Sequence, residues 1–200
     1  FAEKLTGLIA EQALGDNLMP ARSEPGLVQL ANQLGHLYQT NAEVFIGERV
    51  PGLAAVTAYP RRLLVIDRTL LGESEGALRF LFGYAFEAIR GGYATLLQAT
   101  TRQRRELGSL LRTLMSADGE LTGAAADLVN HASHHAANVL ERHAGMRDID
   151  AGRWIDGMLA SAKRAGLVAC DDFSAAISMV ARLSGEHVPR DATVALGSVP

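Results

Sequence analysis

Four histidines crowd one short stretch. His131, His134, His135 and His143 fall within Leu121–His143, an alanine-rich segment whose composition predicts a closely packed helix. His131 and His135 stand at i, i+4, and His131 and His134 at i, i+3, so two imidazoles can share one helix face. With Asp127 or Glu141 nearby, that is a donor set for a transition metal. Imidazoles also titrate near about 6.5, so the same cluster can make a pH-sensitive contact. It is not a peptidase motif, because Ala132, Ser133 and His134 stand between His131 and His135 and no glutamate follows the first histidine.

The other reactive residue types are sparse. Cys170 is the single cysteine and is followed by Asp171 and Asp172. Neighbouring negative charge raises a thiol pKa, so Cys170 is not expected to be a nucleophile. One cysteine also excludes an internal disulfide framework and favours a reducing, cytoplasmic setting. Gly7 and Gly15 make no phosphate-binding fingerprint, and there is neither a glycine-rich loop ending in Lys-Ser/Thr nor a G-x-S-x-G elbow. The basic run Arg102–Arg105, with Arg112 beyond it, reads as a solvated helix face. A net charge of −3 gives no global pull toward nucleic acid, so no nucleic-acid partner is expected. No apolar run reaches the roughly 18 residues of a membrane span.

The elements that must position any site are organised around Leu78–Ala94, opened by the acidic turn Gly72-Glu73-Ser74-Glu75. Leu78, Leu81, Phe82, Ala85, Phe86 and Ile89 recur at helical spacing, while Phe80, Tyr84 and Ala88 fill much of the opposite side. A helix apolar on most sides belongs at the centre of a domain. Before it, Phe1–Leu14 and Pro25–Tyr38 read as helices, with Gly15, Asp16, Asn17 and Pro20 as breakers and Ser23 as an N-cap candidate. His36 lies near the apolar stripe of the second helix. Residues 42–46, 52–59 and 62–67 are short, β-branched runs bounded by Gly and Pro, and predict a small three-stranded antiparallel sheet. Beyond the central helix, Leu96–Met115 reads as helical with a break near Thr100-Thr101. Ala151–Ala165 follows, with Trp154, Ile155 and Met158 on one face and Gly166 as its C′ residue. Asp171–Leu183 is the last helix, and residues 185–200 are a tail or an edge strand at Thr193–Leu196. The expected fold is α+β, mainly α. The expected divisions are N-terminal helices over 1–40, a main domain over 41–184 and a tail over 185–200. A start at Phe1 suggests a piece of a longer protein.

One segment also carries a family resemblance. RRLLVIDRTLL leads to the acidic turn and then to LRFLFGYAFEAIRGGY. This resembles the HtpX-like zinc metallopeptidases, the group that includes the CAAX prenyl endopeptidases, whose motif helix reads like LRFVLGHELGHIKSGH. Leu78, Arg79, Phe80, Gly83, Ile89 and Gly92 match in place. Downstream, Leu159-Ala160-Ser161-Ala162-Lys163-Arg164-Ala165-Gly166-Leu167 resembles the family's third-ligand helix, E-x-x-A-D-R-A-G-L, with its tail intact. The resemblance implies a zincin-like helical domain with its sheet placed before the central helix.

It also implies that the chemistry is gone. Such a peptidase needs two histidines four apart, and a glutamate beside the first to activate the metal-bound water. The matching positions here are Tyr84, Ala88 and Ala85. The third-ligand position is Leu159, and the acidic position beyond it is Lys163. Glu87 is out of register for a ligand and is expected to be solvated or paired with Arg90 or Arg79. The expectation is therefore a pseudoenzyme without metal or cofactor. It would serve as a binding or structural module in a larger bacterial protein, with a protein partner or the rest of its own chain as its target. The alternative is a metal-binding or pH-sensing protein built on His131, His134 and His135.

Overall fold

The computed structural model describes residues 14, 16–57, 61–115 and 150–184. The predicted helix Phe1–Leu14, the histidine-bearing segment Leu121–His143 and the tail 185–200 lie outside the described residues, apart from Leu14. The chain divides into two compact units, Gln12–Gln98 with Leu159–Pro200, and Phe1–Glu11 with Ala99–Met158. The class is α+β and mainly helical.

The first unit is built on a sheet of β1 (Asp16–Pro20), β2 (Glu43–Glu48), β3 (Ala54–Thr57) and β4 (Leu63–Asp67), in the order β1-β2-β4-β3. It corrects the expected sheet twice, because there are four strands and they are mixed. β3 and β4 pair antiparallel, whereas β2, on the other side of β4, runs parallel to it. The most continuously apolar strand, LLVID, thereby takes the central position, buried on both faces. Val65 and Ala55 share one face with Phe45, Val50 and Leu14, while Leu64, Ile66, Ile46 and Val56 are buried on the other.

The additional strand, β1, is made of residues whose types predict a break between helices. Asp16–Pro20 is exposed along its whole length and pairs with β2. Asn17 has φ +50°, and the register slips between Asp16 and Met19. Pro20 ends the pairing, which is where an edge strand tolerates a residue without an N–H. On this edge Arg49 pairs with Asp16, and the Asn17 side-chain amide donates to the Glu48 carboxylate at 2.8 Å.

Asp67 joins this sheet to the helices. Its Oδ2 accepts from the Val50 amide at 2.8 Å, and its Oδ1 accepts from the Thr69 amide at 3.0 Å and the Thr69 hydroxyl at 2.6 Å. Burial pushes its pKa up. The hydrogen bonds from Thr69, Val50 and Arg49 outweigh that and hold the carboxyl below its ordinary value. The bonds fix the β2–β3 connection and the turn Arg68–Gly72 on a single side chain.

Six helices complete the described residues: α1 (Pro25–Leu37), α2 (Glu75–Arg90), α3 (Ala94–Gln98), α4 (Thr101–Met115), α5 (Ala151–Ala169) and α6 (Phe173–Ser184). Ser74 caps α2, its hydroxyl accepting from the Ala77 amide. Asp172 caps α6 through the Ala175 amide. Glu24, not Ser23, stands at the N-cap of α1, with Pro25 at the first turn. α2 stops at Arg90, four residues short of the expected end. Gly92 takes φ +73°, and the Tyr93 amide bonds back to the Ala88 carbonyl at 2.9 Å, a left-handed C-terminal cap. In the second unit, Thr100 and Gln103 cap α4 reciprocally, and Ile155 is buried beside Gly108. Trp154, expected on the buried face of its helix, is half exposed.

Gly166 corrects another expectation. It does not end its helix, since α5 runs on to Ala169. A Cβ at Gly166 would meet the Phe80 carbonyl oxygen at 2.8 Å and the Phe80 ring at 3.0 Å. A Cβ at Gly83 would meet Ala169 Cβ at 2.6 Å and the Ala165 carbonyl oxygen at 2.9 Å. These glycines let the backbones of α2 and α5 touch. The residue is glycine because of a neighbour distant in sequence, not because of a turn.

Candidate functional site

α2 carries three of the positions singled out by the sequence, and every one is buried. Tyr84 is 8% exposed, and Ala85 and Ala88 are fully enclosed. The Tyr84 ring stacks on Phe80, one turn earlier, with centroids 6.3 Å apart and planes 15° apart. Phe82 and Phe86 make a tilted pair along the same helix, 5.6 Å apart. Leu159 and Lys163 lie half-buried on α5, the helix pressed against α2 through Gly83 and Gly166. The helices bearing the five positions are thus neighbours. Alanine and leucine side chains have no donor atom, so these residues do not fit a zinc ion.

The polar groups gather toward the C-terminal end of α2. Arg90 donates through Nε and Nη2 to the Glu87 carboxylate at 2.8–2.9 Å. Glu87 therefore pairs with Arg90. Arg79 instead pairs with Glu75 at 2.9 Å and lies 3.9 Å from Asp171. Two tyrosines that the sequence reading did not single out stand beside this pair. The Tyr38 hydroxyl donates to the Ala165 carbonyl at 2.7 Å. Burial raises its pKa, and the Glu87 charge adds to this against the opposing Arg90. Tyr93 is pushed up to about 12, first by burial and then by Glu87, with Arg90 opposing and Tyr84 adding. Its hydroxyl is buried without a hydrogen-bond partner among the described residues. A signal for Tyr93 was present in Gly91-Gly92. Gly92 reverses the chain, and the ring folds back over Gly91, where a Cβ would collide with it.

Three further sequence readings find their places. His36 is exposed on the last turn of α1 and lines a cleft there. Arg102 is paired with Glu106 at 2.7 Å on the exposed face of α4. Cys170 is half-buried, its Sγ bonded to the Asp172 carbonyl. His131, His134, His135 and His143 lie outside the described residues. Among the described residues, no group of three or more His, Cys, Asp or Glu is placed to hold a metal ion, and no helix is long and apolar enough to cross a membrane.

No family model, curated protein or solved structure matches this chain.

Proposed function

We propose that this chain is a non-catalytic, zincin-like module that acts by binding another protein or the remainder of its own chain, in a reducing, cytoplasmic setting. The observation that carries the reading is the burial of Tyr84, Ala85 and Ala88 on α2, where the resembling peptidases place two metal ligands and the general base. A metal pocket that merely lost its metal would leave donor groups buried and unpaired, which is costly. Carbon at those positions packs as ordinary core instead. The order of β4, capped turn and buried helix, and the contact of α2 with α5, support the same reading. Val168 and Phe173, both more than half exposed around the α5–α6 turn, support the binding role.

Elemental analysis of the purified chain tests the proposal. Less than stoichiometric zinc is expected, with the same melting temperature in the presence and absence of a strong chelator. Stoichiometric zinc lost in His131→Ala or His135→Ala would replace this reading with the metal site on the histidine cluster. Chelator-sensitive proteolysis would remove it outright.

A further inference from the structure

A cleft of about 540 Å³ opens at the C-terminal end of α1, far in sequence from the α2 positions. Asn32, Gly35 and His36 of α1 line it, together with Gln39, Thr40 and Asn41 of the following loop and Arg62 just before β4.

Its charge is one-sided. Among the described residues no carboxylate lines it, although the chain as a whole carries −3. The cleft between α1 and the start of α2 is the contrast, with Glu24, Glu73 and Glu75 facing Arg79. In the same unit Arg49, Arg68, Arg79, Arg90 and Arg182 each have a carboxylate partner. Arg62 has none among the described residues, as is also true of Arg22, Arg61 and Arg164, but of these four Arg62 alone lines this cleft. Thr40 forms part of the wall and is 8% exposed, and its covered hydroxyl has no hydrogen-bond partner among the described residues. Three carbonyls at the end of α1 are already engaged. Amides of Tyr38, Gln39 and Thr40 take up the carbonyls of Leu34, His36 and Gly35 at 2.9–3.2 Å. A cation would find neither a carboxylate nor those carbonyls, whereas an anion would find a guanidinium, an imidazole and side-chain amides.

We propose that this cleft binds a small polar molecule through its carboxylate or phosphate group, with Arg62 as the principal contact. The guanidinium fork matches either oxyanion with two parallel hydrogen bonds. His36 supplies a second donor, and Asn32 and Asn41 are placed to read neighbouring polar groups of the ligand. The inference is independent of the reading of α2, so either can fail alone.

Amide NMR titrations of the full chain test it, with inorganic phosphate and succinate as probes and sodium chloride at matched ionic strength as the blank. Saturable shifts centred on Gly35, Thr40 and Ala42 are expected with at least one probe. Arg62→Gln, an exposed substitution that leaves the core untouched, should weaken that binding about tenfold or more. Arg164→Gln, an exposed arginine elsewhere in the same unit, should not. Saturation by phosphate alone assigns a phosphate ligand, by succinate alone a carboxylate, and by both a general oxyanion site. Shifts no larger than those of chloride would overturn the proposal. So would binding insensitive to Arg62→Gln, or equally weakened by Arg164→Gln.

Discussion

The contact between α2 and α5 joins the two helices that carry Tyr84, Ala85, Ala88, Leu159 and Lys163, and it rests on two glycines that can be tested against a third. Gly157 is also in α5, and a Cβ there would meet nothing within 4 Å. Gly157→Ala should therefore gain only the helix propensity of alanine, about 0.8–1 kcal/mol. Gly166→Ala gains the same and loses more. Its methyl would meet the Phe80 carbonyl at 2.8 Å, and backbone cannot yield as a flexible side-chain tip can. Overpacking of this kind costs about 1–3 kcal/mol. The crowding at Gly83, with Ala169 Cβ at 2.6 Å and a carbonyl at 2.9 Å, belongs at the upper end of that range. For a chain of this length, each kcal/mol moves the midpoint by about 2–4 °C. Gly157→Ala should thus melt above the parent, while Gly166→Ala and Gly83→Ala melt below it. Urea titration and thermal unfolding followed by circular dichroism at 222 nm measure this. If Gly166→Ala is as stable as Gly157→Ala, the two backbones do not touch, and the proposed pseudo-peptidase site loses its second helix.

Tyr93→Phe should stabilise the chain by about 1 kcal/mol, since it removes a buried hydroxyl with no partner among the described residues; urea unfolding reads the change, and a loss of stability would show that the hydroxyl is engaged. Because the Tyr93 pKa is raised in the folded state to about 12, its contribution to stability is whole below the unfolded value near 10 and falls away as pH climbs through 12. Ultraviolet titration near 295 nm should show one late-ionising tyrosine that Tyr93→Phe removes. Asp67→Ala should cost about 2–3 kcal/mol, because it strands the buried Val50 amide and removes both hydrogen bonds from Thr69. The Asp67 pKa is lowered in the fold, so the stability it lends is present above the ordinary carboxylate range and lost as pH falls through the folded value. Asp67→Ala should accordingly flatten the acid limb of the pH–stability curve, and an unchanged limb would refute the assignment.

The α-helices were legible because their signals are local. Ser74 and Asp172 mark their own helix starts, and the stripe of Leu27, Leu30 and Leu34 is visible at its own spacing. The burial of Tyr84, Ala85 and Ala88 followed from a helix apolar on nearly every side. The sheet order was not legible, because strand pairing is a bargain between segments distant in sequence. Asp16–Pro20 reads as punctuation and becomes a strand only because β2 offers it an edge. Gly166 shows the same ambiguity in one residue. Locally a glycine after a helical run is a cap, and only the Phe80 backbone across the interface makes it a packing residue. The tyrosines and the α1 cleft escaped for this reason too. Tyr38 reaches the end of α2 from the end of α1, and Arg62 joins His36 from the residue just before β4. Carbon fills the middle of α2, whereas the polar groups that remain come together from separate segments. A binding role for this chain is therefore better sought where α1 meets the sheet than on the α2 motif that first draws attention.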